Sequence, residues 1–262
     1  MMTARKAVAG VLLAAGLWLG TQARADEWDD ATFPDGSSAT ANVLLHGSTQ
    51  MHDLIAGAPP QALPDEDWYR VTVHPYSSYQ FLADGQTGQV DLGSTQVQRM
   101  LPDGVSTGQN GVDLGGVVTL DWLRGESTPV TNFVRVRGAA CGSSCHGTDR
   151  YTARFYDTTY TVPRFNNSGT QATALTVQNA TNRACDVAFF YFDGAGALLL
   201  ATPGTLGPRG LLVVPTASLV PNQSGSVRIA HTCGYGGLSG KAVSVEPATG
   251  LAFDTAMLHR PH

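Results

Sequence analysis

The sequence carries little charge and has no basic cluster. Charged residues make up 14% of its 262 residues, with 16 Lys and Arg against 21 Asp and Glu and a net charge of −5. Soluble domains usually contain about 25% charged residues. Binding to a nucleic-acid backbone or to an anionic lipid surface requires clustered Lys and Arg. The composition therefore excludes nucleic acid from the expected partners and argues against electrostatic attachment to a membrane.

Helical periodicity is also missing beyond the first 25 residues. The apolar i, i+3, i+4, i+7 pattern is interrupted within about ten residues, because 30 glycines and 14 prolines are spread along the chain. Residues 50–55 allow one helical turn at most. No later apolar run approaches the about 20 residues that a transmembrane helix requires. We therefore expect no substantial helix and no membrane span in this part of the chain.

The motifs of common hydrolases and nucleotide-binding proteins are absent. No His-Glu-x-x-His sequence occurs, and the seven histidines are scattered. Residues 237–241 (GLSGK) fit neither a phosphate-binding loop, which needs glycine at Tyr235, nor a nucleophile elbow, which needs glycine at Lys241. His52 beside Asp53 could orient an imidazole for acid–base chemistry, but the sequence supplies no nucleophile for it. We expect no catalytic site, no cofactor and no metal site.

What the sequence does contain begins with an export signal. Arg5 and Lys6 precede an apolar run over residues 7–20, and a small-x-small pattern ends at Ala25. The alternative, a retained membrane anchor, is disfavoured because the run is shorter than about 20 residues and a cleavage site follows at once. We expect residues 1–25 to be removed and the protein to be secreted or periplasmic. Cleavage would remove three of the 16 basic residues and leave the mature chain more acidic.

The rest of the chain shows the alternation of antiparallel β-strands. Apolar residues recur at every second position, for example at Tyr69 and Val71, with polar residues between them. In the C-terminal stretch such short runs are separated by Asn- and Gly-rich turns, which is typical of an immunoglobulin-like sandwich. Residues 187–192 are apolar on both faces, which predicts a central strand covered on both sides. We predict an all-β fold of two antiparallel β-sandwich domains, residues 26–158 and 159–262, the second immunoglobulin-like.

Two stretches resemble known bacterial secreted proteins. Residues 65–71 (DEDWYRV), followed by residues 77–81 (SSYQF), resemble the core of bacterial pre-peptidase C-terminal (PPC) domains. These domains are non-catalytic β-sandwich modules attached to secreted proteases and other exoproteins. Residues 163–171 (PRFNNSGTQ), with residues 240–243 and 246–250, resemble a family of uncharacterised bacterial secreted proteins. Both resemblances imply an exported β-fold, and neither implies a catalytic residue.

Residues 163–171 also predict a tight turn from their own chemistry. A proline ends the preceding strand, and the Asn and Ser side chains can hydrogen-bond the turn backbone. We expect this turn to be structural, with an exposed recognition surface as the alternative. Arg164 is expected to pair with an acid such as Asp157 between the domains. The candidate interdomain or recognition residues are Arg164, Phe165, Asn166 and Asn167.

Four cysteines in an exported chain predict two disulfides, for which three connectivities exist. We favour Cys141–Cys145, which closes a short loop, and Cys185–Cys233, which joins two strands of the C-terminal domain. A c-type haem would need Cys-x-x-Cys-His, and here one additional residue separates the cysteines. A zinc site of Cys141, Cys145 and His146 would need reduced thiolates in an oxidising compartment. We therefore expect neither haem nor zinc at this position.

Two acidic clusters raise the question of calcium, which binds carboxylate oxygens. The first cluster lies at the expected mature N-terminus, and the second directly precedes Trp68. For both we favour the alternative without an ion, a solvated terminus and an exposed turn. The clusters are Asp26, Glu27, Asp29 and Asp30, and Asp65, Glu66 and Asp67.

No residue pattern identifies a specific activity. We expect an exported, non-catalytic protein that binds or scaffolds at the cell surface or in the periplasm, with an unknown envelope or extracellular partner. The alternative is an accessory carbohydrate-binding protein or a secreted hydrolase with a loop-built site. Exposed aromatics in a row, such as Trp122, Tyr151 and Tyr235, would favour glycan binding. A pocket that gathers two carboxylates or a Ser/His pair would favour an enzyme.

Overall fold

The computed structural model describes residues 28, 35–40, 42–54, 65–138 and 148–260. Over these residues the chain forms eighteen β-strands and one four-residue helix, α1 (Thr216–Leu219). All paired strands run antiparallel, so the prediction of an all-β antiparallel fold is confirmed. None of the helices in the described part of the chain has the length and hydropathy needed to cross a membrane. The expected signal segment, residues 1–25, lies outside the described residues.

The first nine strands build two sheets that face each other. The five-stranded sheet has the order β1-β9-β3-β7-β6, and the four-stranded sheet has the order β2-β8-β4-β5. The strands are β1 (Thr49–Asp53), β2 (Glu66–Val73), β3 (Ser77–Asp84), β4 (Val97–Met100), β5 (Thr107–Asn110), β6 (Val112–Asp113), β7 (Val118–Arg124), β8 (Val130–Arg137) and β9 (Arg150–Asp157).

The core of this first pair of sheets follows the predicted alternation. In β2, Tyr69 and Val71 are fully buried whereas Arg70 and Thr72 are exposed. Because side chains of a strand alternate between its two faces, one face of each strand enters the core. Residues 50–53 lie in β1, so the single helical turn that their pattern allowed does not form.

The second nine strands build another pair of facing sheets. The five-stranded sheet has the order β13-β12-β15-β10-β18, and the four-stranded sheet has the order β14-β11-β16-β17. The strands are β10 (Tyr160–Asn166), β11 (Ala172–Asn179), β12 (Cys185–Asp193), β13 (Leu198–Leu206), β14 (Leu211–Pro215), β15 (Ser224–His231), β16 (Leu238–Glu246), β17 (Leu251–Ala256) and β18 (Leu258–His259).

Strand β12 is covered on both faces, as its apolar sequence predicts. It lies between β13 and β15 in its sheet. Phe189 points into the core of the second pair of sheets. Phe190, on the opposite face, is buried as well, because the Tyr76 ring of the first pair of sheets packs 5.0 Å from it. The outer face of β12 is therefore part of the contact between the two pairs of sheets.

The connection between the two pairs of sheets is short and buried. Only Thr158 and Thr159 separate β9 from β10, and both are almost completely buried. Ser78 of β3 holds them, since its carbonyl accepts a hydrogen bond from the Thr158 N–H at 2.9 Å and its N–H donates to Thr159 Oγ1 at 3.0 Å. Arg228 of β15 also donates to the Pro75 carbonyl at 3.0 Å. The two halves therefore pack directly against each other.

The disulfide Cys185–Cys233 is present, which confirms that prediction. It joins Cys185, the first residue of β12, to Cys233, which lies two residues after the end of β15. Strands β12 and β15 are neighbours in one sheet. In antibody domains the bridge instead connects the two facing sheets. Cys141 and Cys145 lie outside the described residues, so their pairing remains a prediction.

Candidate functional site

A cleft of about 360 Å³ opens on the first pair of sheets, close to the junction with the second. Its walls are mostly apolar, and its polar groups are two histidines, one threonine, one tyrosine and one aspartate. Such a combination of apolar walls and few polar groups is common in binding sites. The lining residues are Leu44, Leu45, His46, Thr72, His74, Tyr79, Phe155 and Asp157.

His46 is oriented by the backbone of β9. Its Nδ1 accepts a hydrogen bond from the Asp157 N–H at 3.0 Å. An imidazole nitrogen that accepts a hydrogen bond carries no proton, so the neutral ring holds its proton on Nε2. The ring packs edge-on against Tyr156 and Tyr235, with centroid separations of 6.0 and 5.6 Å. His46 thus connects the cleft to a group of aromatic side chains beside it.

This group, which we name the aromatic platform, consists of His46, Tyr156, Tyr235 and His259. Tyr156 and Tyr235 stack with a centroid separation of 4.3 Å and an interplanar angle of 12°. His259 lies 5.5 Å from Tyr235, with its ring tilted by 40°. The four rings come from distant parts of the chain, and Tyr235 remains 45% exposed. The platform therefore presents aromatic surface to solvent where the two pairs of sheets meet.

The loop that carries Tyr235 is positioned by contacts at both ends. Cys233, two residues earlier, is tied to β12 by the disulfide. The Tyr235 N–H donates to the Oε1 of Gln80 in β3 at 2.9 Å. Gly234 has a φ of 82°, and a Cβ at this position would lie 2.8 Å from Gln80 Nε2. The backbone conformation therefore favours glycine here, and a larger residue would also displace the end of the Gln80 side chain.

The acid of the cleft, Asp157, is held by structural partners. The Nη1 of Arg260 lies 3.2 Å from its Oδ2, and the Thr159 N–H donates to its Oδ1 at 2.9 Å. The expected pairing of Asp157 with Arg164 is wrong, because Arg260 from the C-terminal end of the described chain occupies that position while Arg164 is exposed on β10. Burial, followed by the charge of Asp157, raises the pKa of the neighbouring Tyr79. Tyr79 therefore stays protonated at neutral pH.

The other residues predicted at the 163–171 turn serve packing and turn closure. Phe165 is fully buried in the second core. Asn167 is buried as well, and its side chain accepts from the Thr173 N–H at 2.9 Å and donates to the Val220 carbonyl at 3.1 Å. Asn166 is also buried, so of the four candidates Arg164 alone is exposed.

The aromatic row that would favour glycan binding does not form from the three residues named for it. Trp122 is 3% exposed and Tyr151 is fully buried, so neither can contact a ligand at the surface. The strand pattern predicts this burial for Trp122, because it lies two residues after the buried Leu120 and therefore on the same face of β7. Tyr235 is exposed, and its neighbours in the platform are residues that the sequence did not connect to it.

A second group of functional side chains lies buried between the sheets of the first pair. His52 of β1 faces two aspartates, with its Nδ1 3.6 Å from Asp35 Oδ2 and 3.7 Å from Asp67 Oδ1. The expectation that residues 65–67 form an exposed turn is wrong, since Asp65 and Asp67 are 8% and 1% exposed. The members of this group are separated in sequence, so motif spacing does not connect them, and the sequence pattern pairs His52 only with its neighbour Asp53.

Tyrosine hydroxyls orient one of these carboxylates. The Tyr151 hydroxyl donates a hydrogen bond to Asp67 Oδ2, and the Tyr69 hydroxyl lies 2.6 Å from that of Tyr151. Burial, followed by the negative charge of Asp67, raises the pKa of Tyr151 well above its ordinary value. Tyr151 is therefore a permanent hydrogen-bond donor to the carboxylate.

Comparison with known proteins identifies no family. No protein-family model and no curated protein matches this chain. Among solved structures, the full extracellular region of zebrafish Gpr126/Adgrg6 is similar over 82% of this chain, with 12% identity and a TM-score of 0.25. A Bacteroides uniformis β-glucuronidase is similar over 73% of this chain, with 12% identity and a TM-score of 0.20. The chain spans 31% and 26% of those two proteins, and similarities this remote carry no argument about function.

Proposed function

We propose that this chain is an exported, non-catalytic binding protein of the cell surface or periplasm, and that it binds a saccharide on the aromatic platform. The observation that carries the proposal is the exposed Tyr235 ring, stacked on Tyr156 and flanked by His46 and His259 beside a cleft of about 360 Å³. Exposed aromatic and apolar surface that gathers in one patch commonly marks an interaction site.

The chemistry of the platform suits a sugar ring. The C–H face of a pyranose packs on an aromatic ring, while its hydroxyl groups need hydrogen-bond donors and acceptors at the ring edge. Tyrosine combines an apolar face with a polar hydroxyl. The imidazoles of His46 and His259 place polar ring edges beside Tyr235.

The contacts of Asp157 favour a protein that binds a saccharide without hydrolysing it. Glycoside hydrolysis ordinarily requires two carboxyl groups on either side of the scissile bond. Among the described residues that line the cleft, Asp157 is the one carboxylate, and Arg260 and the Thr159 N–H engage both of its oxygens. This arrangement supports a binding role rather than a hydrolytic one.

Export is supported by the sequence and by the disulfide. Residues 1–25 have the organisation of a signal peptide. Disulfides persist mainly in oxidising compartments, so the Cys185–Cys233 bridge supports export. Mass spectrometry of the protein from envelope and medium fractions should find Asp26 at its N-terminus. An intact N-terminus in a cytoplasmic fraction would contradict the export part of the proposal.

Calorimetric titration with defined oligosaccharides of glucose, N-acetylglucosamine, galactose and mannose tests the binding part. At least one class should bind, and Tyr235→Ala should weaken it about tenfold or more, as expected for a central aromatic contact. Phe253→Ala is the matched control, because Phe253 is an exposed aromatic, at 54%, on β17 away from the platform. The proposal fails if no class binds or if both variants bind as the wild type does. Release of reducing ends during the titration would contradict the non-catalytic role.

A further inference from the structure

We propose that Asp35, His52 and Asp67 bind one divalent transition-metal ion of the zinc type, which clamps the two sheets of the first pair together. His52 belongs to β1 in the five-stranded sheet, and Asp67 belongs to β2 in the four-stranded sheet. Asp35 lies on a third segment, whose carbonyl accepts a hydrogen bond from the Trp68 N–H of β2 at 2.8 Å. This site shares no residue with the proposed saccharide site, so metal binding can be tested separately from saccharide binding.

The distances between the three donors match those between ligands of one ion. His52 Nδ1 lies 3.6 Å from Asp35 Oδ2 and 3.7 Å from Asp67 Oδ1, and one donor atom from each residue lies within 4.8 Å of the others. Charge-assisted N–H···O hydrogen bonds are shorter, about 2.7–2.9 Å. Two ligands bonded at about 2.1 Å to a tetrahedral ion are about 3.4 Å apart. The spacing is therefore that of a coordination sphere.

The tautomer of His52 directs a lone pair at the two carboxylates. Its Nε2 lies 3.0 Å from the Oε1 of Gln50, and because that oxygen can only accept, Nε2 carries a proton. In the neutral ring, Nδ1 then presents its lone pair to Asp35 and Asp67. A hydrogen bond from the outer nitrogen of a ligating histidine to a carbonyl is also the usual support of a metal ligand.

The three donors are buried among aromatic rings. Asp35 and His52 are fully buried, and Asp67 is 1% exposed. The His52 ring packs against Trp28, Tyr69 and Tyr151 at centroid separations of 5.8, 5.0 and 5.7 Å. Electrostatic attraction is strong in such a low-dielectric site. The three residues supply three of the four ligands of a tetrahedral ion. Because all three are buried and come from separate segments, the ion would link the two sheets from inside.

The donor set selects the class of metal. One imidazole nitrogen with two carboxylate oxygens suits zinc and other first-row divalent ions. Calcium takes six to eight oxygen ligands and is not expected to prefer a site with nitrogen. The nitrogen ligand therefore distinguishes this site from the two acidic clusters of the sequence, neither of which includes His52.

The proposal is tested on the full exported chain, purified without a histidine tag, dialysed against a chelator and then titrated with Zn²⁺, Co²⁺ and Ca²⁺. We expect one Zn²⁺ per chain by elemental analysis, a raised Tm on Zn²⁺ addition, and visible d–d absorption of tetrahedral Co²⁺. His52→Gln should weaken Zn²⁺ binding by about 100-fold or more. The control, Asp103→Asn, removes an exposed carboxylate of the same half outside both proposed sites and should bind Zn²⁺ as the wild type does.

Asp35→Asn provides the second variant, because it preserves shape while removing one charge. It should fold, as judged by circular dichroism in the absence of metal, and bind Zn²⁺ at least about tenfold more weakly. Absence of Zn²⁺ and Co²⁺ binding by the wild type at 100-fold excess over protein would overturn the proposal. Equal Zn²⁺ binding by wild type, His52→Gln and Asp35→Asn would overturn it as well.

Discussion

His231 should make the protein lose stability in mild acid. The residue is 1% exposed at the end of β15, its Nδ1 accepts a hydrogen bond from the Cys233 N–H at 3.1 Å, and its ring stacks against Tyr160. Burial, together with the nearby charge of His259, lowers the pKa of His231 to about 4 from its ordinary 6.5. The folded protein therefore keeps this ring neutral over a pH range in which the unfolded chain protonates it.

The sign and the size of the effect follow from proton linkage. Between pH 6.5 and pH 4 the unfolded state binds a proton that the folded state does not, so the free energy of unfolding falls as the pH falls. The contribution is complete above pH 6.5, and the loss ends near pH 4, where the folded protein also accepts the proton. One pKa unit corresponds to about 1.4 kcal/mol, so the His231 contribution lost by pH 4 is about 3 kcal/mol. This is a large part of the about 5–15 kcal/mol that stabilises a typical protein.

Urea denaturation from pH 8 to pH 4 measures this loss when wild type and His231→Asn are compared. Asparagine retains an acceptor for the Cys233 N–H but does not titrate, so its curve should be flatter than the wild-type curve by about 3 kcal/mol over this range. His74→Asn, which changes an exposed histidine, should follow the wild type. Parallel curves for wild type and His231→Asn, or an NMR titration of folded His231 near pH 6.5, would refute the argument.

Three further changes have distinct expected effects on unfolding. Replacing Cys185 and Cys233 by alanine should cost about 4 kcal/mol, because the bridge closes a loop with a sequence separation of 48, and an unchanged urea midpoint would contradict this. Gly225→Ala should lower the free energy of unfolding by about 3 kcal/mol or prevent folding, since a Cβ there would lie 1.8 Å from the Phe192 carbonyl oxygen. Gly194→Ala, which has nothing within 4 Å of its Cβ, should leave the free energy of unfolding close to that of the wild type. Equal losses for the two variants would show that the contact with Phe192 is not the cause. Arg260→Ala should lower the free energy of unfolding by about 2 kcal/mol, because it leaves the buried Asp157 carboxylate without its charged partner. No change in calorimetry would show that this ion pair does not stabilise the junction.

Much of the fold was predictable because strand alternation is a local property. Tyr69 and Val71 share the buried face of β2, and the uniformly apolar β12 is covered on both sides, as their patterns indicate. The same rule places Trp122 and Tyr151 inside, in phase with buried neighbours on β7 and β9, although they were first considered as surface residues. An error of this kind arises when a residue is judged by its chemistry without its strand phase.

Long-range partners could not be predicted in the same way. Arg260 pairs with Asp157 from 103 residues away, where the sequence suggested the nearby Arg164. His46 meets Tyr235 only because the loop after β15 is fastened to Gln80 of β3. Periodicity states which face a side chain occupies, but it contains no information about which distant element covers that face.

Antiparallel β-structure and the presence of cysteines for disulfide bonding were predictable from the sequence, since alternation, turn residues and cysteine count are local properties. The tertiary structure set which distant residues meet, including Cys185 and Cys233. It brings Asp35 and Asp67 to His52, and it leaves Tyr235 exposed on the platform. The physical reason is that the packing of one sheet against another, which sets these meetings, depends on the summed burial of many side chains and on no single segment.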